Sequence, residues 1–191
     1  MQVYETHGLS DQEMLDGGRA IHGHNLRNLL FNNTAEEGVV GPGVYYIGTD
    51  WSPESNHINK VYHWTMLTIT EDDSTAYYFD GTGLPMSNSH FKMLEQKFLR
   101  EESYHIVRNQ WKYMNPEANT CGQWCLFNGA MNKMGQSQLH GFGVIPQKNV
   151  ADIKILNHND EIVSNWYENQ NYPHIESDPI KKDPNSVFNG D

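Results

Sequence analysis

Three residues of this sequence, Cys121, His63 and Asp80, have the types and settings needed for covalent chemistry. A cysteine attacks as its thiolate, and an unassisted thiol is only about 3% ionised at pH 7. A helix N-terminus and a neighbouring imidazolium both favour the anion. Cys121 opens the run Cys121-Gly122-Gln123-Trp124-Cys125-Leu126-Phe127, which reads as a helix, and Asn119-Thr120 before it supply capping side chains. Gly122 is expected to leave room for a substrate backbone beside the thiol. His63 supplies an imidazole, the natural base for a thiol near neutral pH. A carboxylate at Asp80 can orient that imidazole and stabilise its cationic form. Glu71, Asp72 and Asp73 fall in a polar turn and read as solvated. Each of the three also has a plainer reading: a buried small hydrophobe, a hydrogen-bonded strand histidine, a turn-capping aspartate.

The elements that would bring the three together can be read from pattern. Residues 60–70 and Thr75–Asp80 are rich in β-branched and aromatic side chains and flank the polar turn Glu71–Ser74, a hairpin signal. That hairpin sets His63 and Asp80 near one end. Gly43–Gly48 reads as a buried strand after the Gly- and Pro-containing loop 38–43, and Tyr104–Asn109 as a further strand. Helices are expected from Leu9, with Ser10 and Glu13 at capping-box spacing, over His24–Phe31, where Leu26, Leu29 and Leu30 recur at helical spacing, over Ser89–Arg100, and over Cys121–Met134. Gly17-Gly18 is expected to stop or interrupt the first of these. The mixture implies an α+β fold. From Asn157 the chain turns polar and carries Pro173, Pro179 and Pro184, so residues 1–156 are expected to form the domain and 157–191 a tail.

Composition narrows the function classes. The chain has 191 residues, 13 Lys+Arg against 24 Asp+Glu, and a net charge of −11. That balance disfavours nucleic-acid binding through a basic surface. No run of about 18 apolar residues is present to span a membrane, and the first residues lack the pattern of a secretory signal. Two cysteines, Cys121 and Cys125, are too few for a disulfide framework or a four-thiolate zinc site. Of the histidines only His22-Gly23-His24 are closely spaced. No metal or other cofactor is expected, and the reading is a soluble protein of a reducing compartment.

The segments Tyr62-His63-Trp64, Tyr78-Phe79-Asp80-Gly81-Thr82-Gly83-Leu84-Pro85 and Cys121-Gly122-Gln123-Trp124-Cys125, in that order, resemble the adenain-like cysteine proteases of large DNA viruses, virophages and virus-like transposons. These belong to the wider clan of SUMO-deconjugating proteases. Tyr45-Tyr46-Ile47-Gly48-Thr49-Asp50 looks like the strand before the histidine in the transposon and virophage members, and the resemblance runs from Leu9 to Met134. It implies a central mixed β-sheet flanked by helices, with the nucleophile Cys121 at the N-terminus of a central helix, His63 as general base and Asp80 as the orienting acid. The family's oxyanion-hole glutamine lies six or seven residues before its cysteine. Those positions here are Asn115 and Met114, so Gln110 is favoured for the role and Asn115 is the substitute. Family members also use a disulfide-tethered activating peptide and DNA. Only Cys125 is available for a tether, and the net charge of −11 argues against polyanion stimulation, so neither is carried over.

The function so implied is a thiol endopeptidase that matures viral capsid or core precursors at Gly-Gly-like sites, within virions and the interior of the host cell. A deconjugating peptidase for ubiquitin-like modifiers would use the same triad. An acyltransferase sharing the His-acid-Cys order would need basic residues for its acyl-CoA. A degenerate family member would be a structural or binding protein. Leu15-Asp16-Gly17-Gly18-Arg19 fits the cleavage pattern itself, which makes self-processing after Gly18 an alternative to a helix C-cap there.

Overall fold

A computed structural model describes residues 8–31, 38–39, 41–49, 63–72, 74–83, 92, 94–99, 104–134 and 142–176. Helix α1 (Asp11–His22) starts where its capping chemistry places it. The Ser10 hydroxyl accepts the Glu13 N–H at 3.1 Å and the Glu13 carboxylate accepts the Ser10 N–H at 3.1 Å.

Gly17-Gly18 does not stop α1, which runs on to His22. The two glycines are contact points. A Cβ on Gly17 would lie 2.7 Å from Leu126 Cδ1, and one on Gly18 would lie 2.7 Å from Leu26 Cδ2 and 2.8 Å from Tyr46 Cε2. Both are buried inside the helix, so Leu15–Arg19 is not an extended strand that a narrow cleft could thread, and the folded chain does not present Gly18 for self-processing. Gly→Ala in an exposed helix normally stabilises by roughly 1 kcal/mol. Gly18→Ala is expected to do the opposite, destabilising by about 1–3 kcal/mol through overpacking, as read from the midpoint of urea denaturation.

Among the described residues five strands form one mixed sheet in the order β1-β2-β3-β4-β5: β1 (Leu26–Phe31), β2 (Gly43–Thr49), β3 (His63–Ile69), β4 (Thr75–Phe79) and β5 (His105–Arg108). The inner three are antiparallel neighbours, and each edge strand runs parallel to its partner. β1 replaces the expected helix over His24–Phe31. A bulge between Leu26 and Asn28 brings Leu26 and Leu29 into one core cluster while Leu30 enters the other. A bulged strand thereby acquires a three-residue apolar spacing that mimics a helix.

Three helices, α1, α2 (Cys121–Met134) and α3 (Ile153–Gln170), contribute to the main core with Leu26, Trp64, Met66 and Phe79 of the sheet. The second cluster holds Leu30, Tyr45, Ile47, Leu67 and Tyr78 with Leu94 and Leu99 of a π-helical segment, Leu94–Leu99. The rest of the helix expected over 89–100 lies mostly outside the described residues. The coarse expectation of an α+β fold with a mixed sheet and flanking helices is what the chain shows.

The expected boundary at 156/157 falls inside α3. Val163 and Trp166 belong to the main core and Asn159 and Asp160 have no exposed surface. The segment after α3 is tied down too, with the Ile175 N–H donating to Asp16 Oδ1 at 3.0 Å. The domain therefore continues through residue 176, and residues 177–191 lie outside the described part. No helix among the described residues is long and apolar enough to cross a membrane.

Candidate active site

The ladder between β3 and β4 ends at the pair Met66↔Phe79. His63 begins β3 and Asp80 follows β4, so both sit at that end of the hairpin, on neighbouring strands. His63 Nε2 and Asp80 Oδ2 are 2.9 Å apart. The second carboxylate oxygen is held by Thr82, whose N–H and hydroxyl donate to Oδ1 at 3.0 and 2.8 Å. Asn109, just past β5, braces the same residue through its backbone. Its Oδ1 accepts the Asp80 N–H at 2.9 Å, and its Nδ2 donates to the Asp80 carbonyl at 2.7 Å.

The turn after the acid docks on the chain that leads to the cysteine. The Gly81 carbonyl accepts the N–H groups of Tyr113 and Met114 at 3.0 and 3.1 Å. Gly83 takes φ +62°, and a Cβ there would lie 2.5 Å from the Trp111 carbonyl oxygen, so only glycine suits the position. Glu71 and Asp72 are exposed in the hairpin turn, where Asp72 accepts from the Thr70 hydroxyl and the Ser74 N–H. Asp73 lies outside the described residues. Asp80 is thus the acid that reaches His63.

Cys121 is the first residue of α2, and its Sγ accepts the Trp64 backbone N–H at 3.3 Å. His63 is hydrogen-bonded to this sulfur as well as to Asp80. Burial opposes protonation of His63, but the bonds to Asp80 and Cys121 outweigh it and raise its pKa to about 10. Burial pushes Asp80 up, yet its hydrogen bonds from His63 and Thr82 hold it below the usual carboxylate range. An acid, an imidazole and a thiol that opens a helix are thus brought together, the set of groups that nucleophilic thiol chemistry requires. Cys121 and His63 are only 6% and 7% exposed.

The remaining sequence expectations fare unevenly. Gln110 is exposed and follows Asn109, the residue braced to Asp80. Asn115 does not suit the oxyanion role. Its Oδ1 accepts the Glu117 N–H at 3.0 Å and its Nδ2 donates to Asn157 Oδ1 at 2.9 Å, which locks the amide into its own turn. Gly122 is buried, and the space a Cβ would take is closed by Leu9 Cβ and Met14 Sδ, each 3.0 Å away. Its small size serves the contact with α1 and its approach, not a substrate. Cys125 is fully buried and burial pushes its thiol pKa up, as befits an inert thiol. Trp64 and Trp124 pack in the core. His22 is buried against the Tyr46 hydroxyl at 2.8 Å, and among the described residues no group of three metal-ligating side chains occurs.

Sequence reasoning missed Asn109 and Asp160. Asn109 gives no signal beyond its place after a strand. Asp160 does give one: an ionisable residue at a core-facing position between Leu156 and Val163. Compared with known proteins, the chain matches no protein-family model and no curated protein.

Proposed function

We propose that the chain is a thiol endopeptidase with an adenain-like fold, acting through Cys121, His63 and Asp80. One observation carries the reading: a single imidazole bonded on one side to an acid and on the other to a thiol that opens a helix. In this mechanism His63 holds the Cys121 proton as imidazolium, with Asp80 fixing the ring. The thiolate adds to the scissile carbonyl, and the Cys121 N–H with the Gln110 side chain stabilises the oxyanion. A donor of that kind contributes about 2.7–4 kcal/mol. His63 then gives its proton to the leaving amine. The freed imidazole takes a proton from water as the water attacks the thioester, and the carboxylic acid departs as Cys121 is regenerated.

The proposed substrates are capsid or core precursor proteins, cut in the virion or the host-cell interior at Gly-Gly-like sites. Glycines suit a narrow cleft because an extended chain without Cβ atoms needs little width. A fluorogenic peptide carrying Leu-X-Gly-Gly tests the reading against Cys121→Ala. Hydrolysis by the wild type alone supports it. Equal hydrolysis by both proteins removes Cys121 from the chemistry.

A further inference from the structure

We propose that Asp160 on α3 is a positioning residue for the nucleophile, clamping the chain on both sides of Cys121 so that its sulfur meets His63 and the Trp64 N–H. Its carboxylate is fully buried and gathers three donors. Oδ1 accepts the Thr120 hydroxyl at 2.9 Å and Trp124 Nε1 at 2.9 Å, and Oδ2 accepts the Asn115 N–H at 3.0 Å. Thr120 immediately precedes Cys121, and Trp124 lies one helical turn beyond Thr120, its N–H donating to the Thr120 carbonyl at 3.0 Å. One carboxylate therefore spans the junction from which the thiol projects.

The neighbours of Asp160 on α3 extend the same grip. Asn159 Nδ2 donates to the Tyr113 carbonyl at 3.0 Å, and Asn157 Oδ1 accepts Asn115 Nδ2 at 2.9 Å. The stretch from Tyr113 to Thr120 has no regular structure of its own; the Gly81 carbonyl holds its start, and these side chains hold it from there to Thr120. They come from a helix that contributes none of the triad. An ionised carboxylate accepts only, which matches three converging donors, whereas a carboxamide brings an NH₂ that must face one of them. Burial raises the Asp160 pKa to about 6 against the pull of Trp124, Asn115 and Thr120, so the acceptor form prevails at neutral pH. The function assigned to Asp160 rests on the triad reading, because it is defined by where Sγ must sit.

Alkylation of Cys121 by iodoacetamide, followed by mass spectrometry on the full chain at pH 7, separates the two claims. Asp160→Asn and Thr120→Val are expected to slow Cys121 alkylation about 10–100-fold, the scale of an ångström-sized misplacement. Thr120→Ser, which keeps the hydroxyl, is expected to restore the wild-type rate. With a cleavable peptide, the variants should lose kcat with KM held. A purely structural Asp160 would lower the melting temperature and leave the Cys121 rate unchanged, which overturns the proposal. If Asp160→Asn does not fold, Thr120→Val against Thr120→Ser decides by the same rates. A wild-type Cys121 that reacts no faster than it does in His63→Ala overturns the triad reading itself, and with it the role of Asp160.

Discussion

His63→Ala is expected to lower kcat/KM for a Leu-X-Gly-Gly peptide by on the order of 10⁴-fold, the upper range for loss of a general acid–base residue. The imidazole has two tasks, both visible in its bonds. It holds the proton taken from Cys121, and it returns a proton to the leaving amine, so no other step compensates for its loss. Because the ring contacts both the acid and the thiol, the variant leaves two partners unmatched at once. Both tasks belong to the chemical steps, so the loss should fall on kcat. Steady-state kinetics with a melting curve of the same sample checks this. A variant that melts normally and cleaves at the wild-type rate would remove His63 from the mechanism.

Asp80→Asn is the second large effect, expected at about 10²–10⁴-fold on kcat, as when the acid of a catalytic triad is made neutral. The backbone of residue 80 would still be braced by Asn109, so the loss would report the carboxylate and not the strand end. The same substitution changes stability against pH. The folded pKa of His63, about 10, lies above its ordinary value of 6.5. The stability it contributes is therefore full below pH 6.5 and is lost as pH rises through 10. Asp80, held below the ordinary 3.8, contributes stability that is present above that value and lost as pH falls through its lowered pKa. The wild-type melting temperature should decline between pH 6.5 and 10, and the Asp80→Asn curve should be flatter over that span. Parallel curves would show that the pair does not hold the proton on His63.

The parts of the site that lie on one local pattern were legible in the sequence. The β3–β4 hairpin could be read because β-branched and aromatic runs flank a polar turn, and its length set His63 beside Asp80. The α1 start could be read because a capping box is a local interaction. Helix α2 announced itself by an apolar run after capping residues. What could not be read depends on contacts between distant segments. Gly17-Gly18 looks like a stop, and only the closeness of Leu26, Tyr46 and Leu126 shows it to be a packing site. The bulge in β1 gave a strand a helical spacing. Helix α3 looked like tail because its inward face carries Asn159, Asp160 and Ser164 among Leu156 and Val163. Those buried polar groups blur the apolar period on which a helix is recognised, and they are the groups that grip the chain before Cys121. The oxyanion donor falls between the two cases: the structure engages Asn115 elsewhere, leaving Gln110 as the residue to test.

The measurement closest to the central claim is the rate of alkylation of Cys121 relative to Cys125 in the native protein, in wild type and in His63→Ala. A triad in working order predicts fast modification of Cys121, an unreactive Cys125 in its fully buried position, and loss of the Cys121 advantage when His63 is removed. Equal slow modification of both cysteines, or a fast Cys121 indifferent to His63, would contradict the account whatever peptide is or is not cleaved.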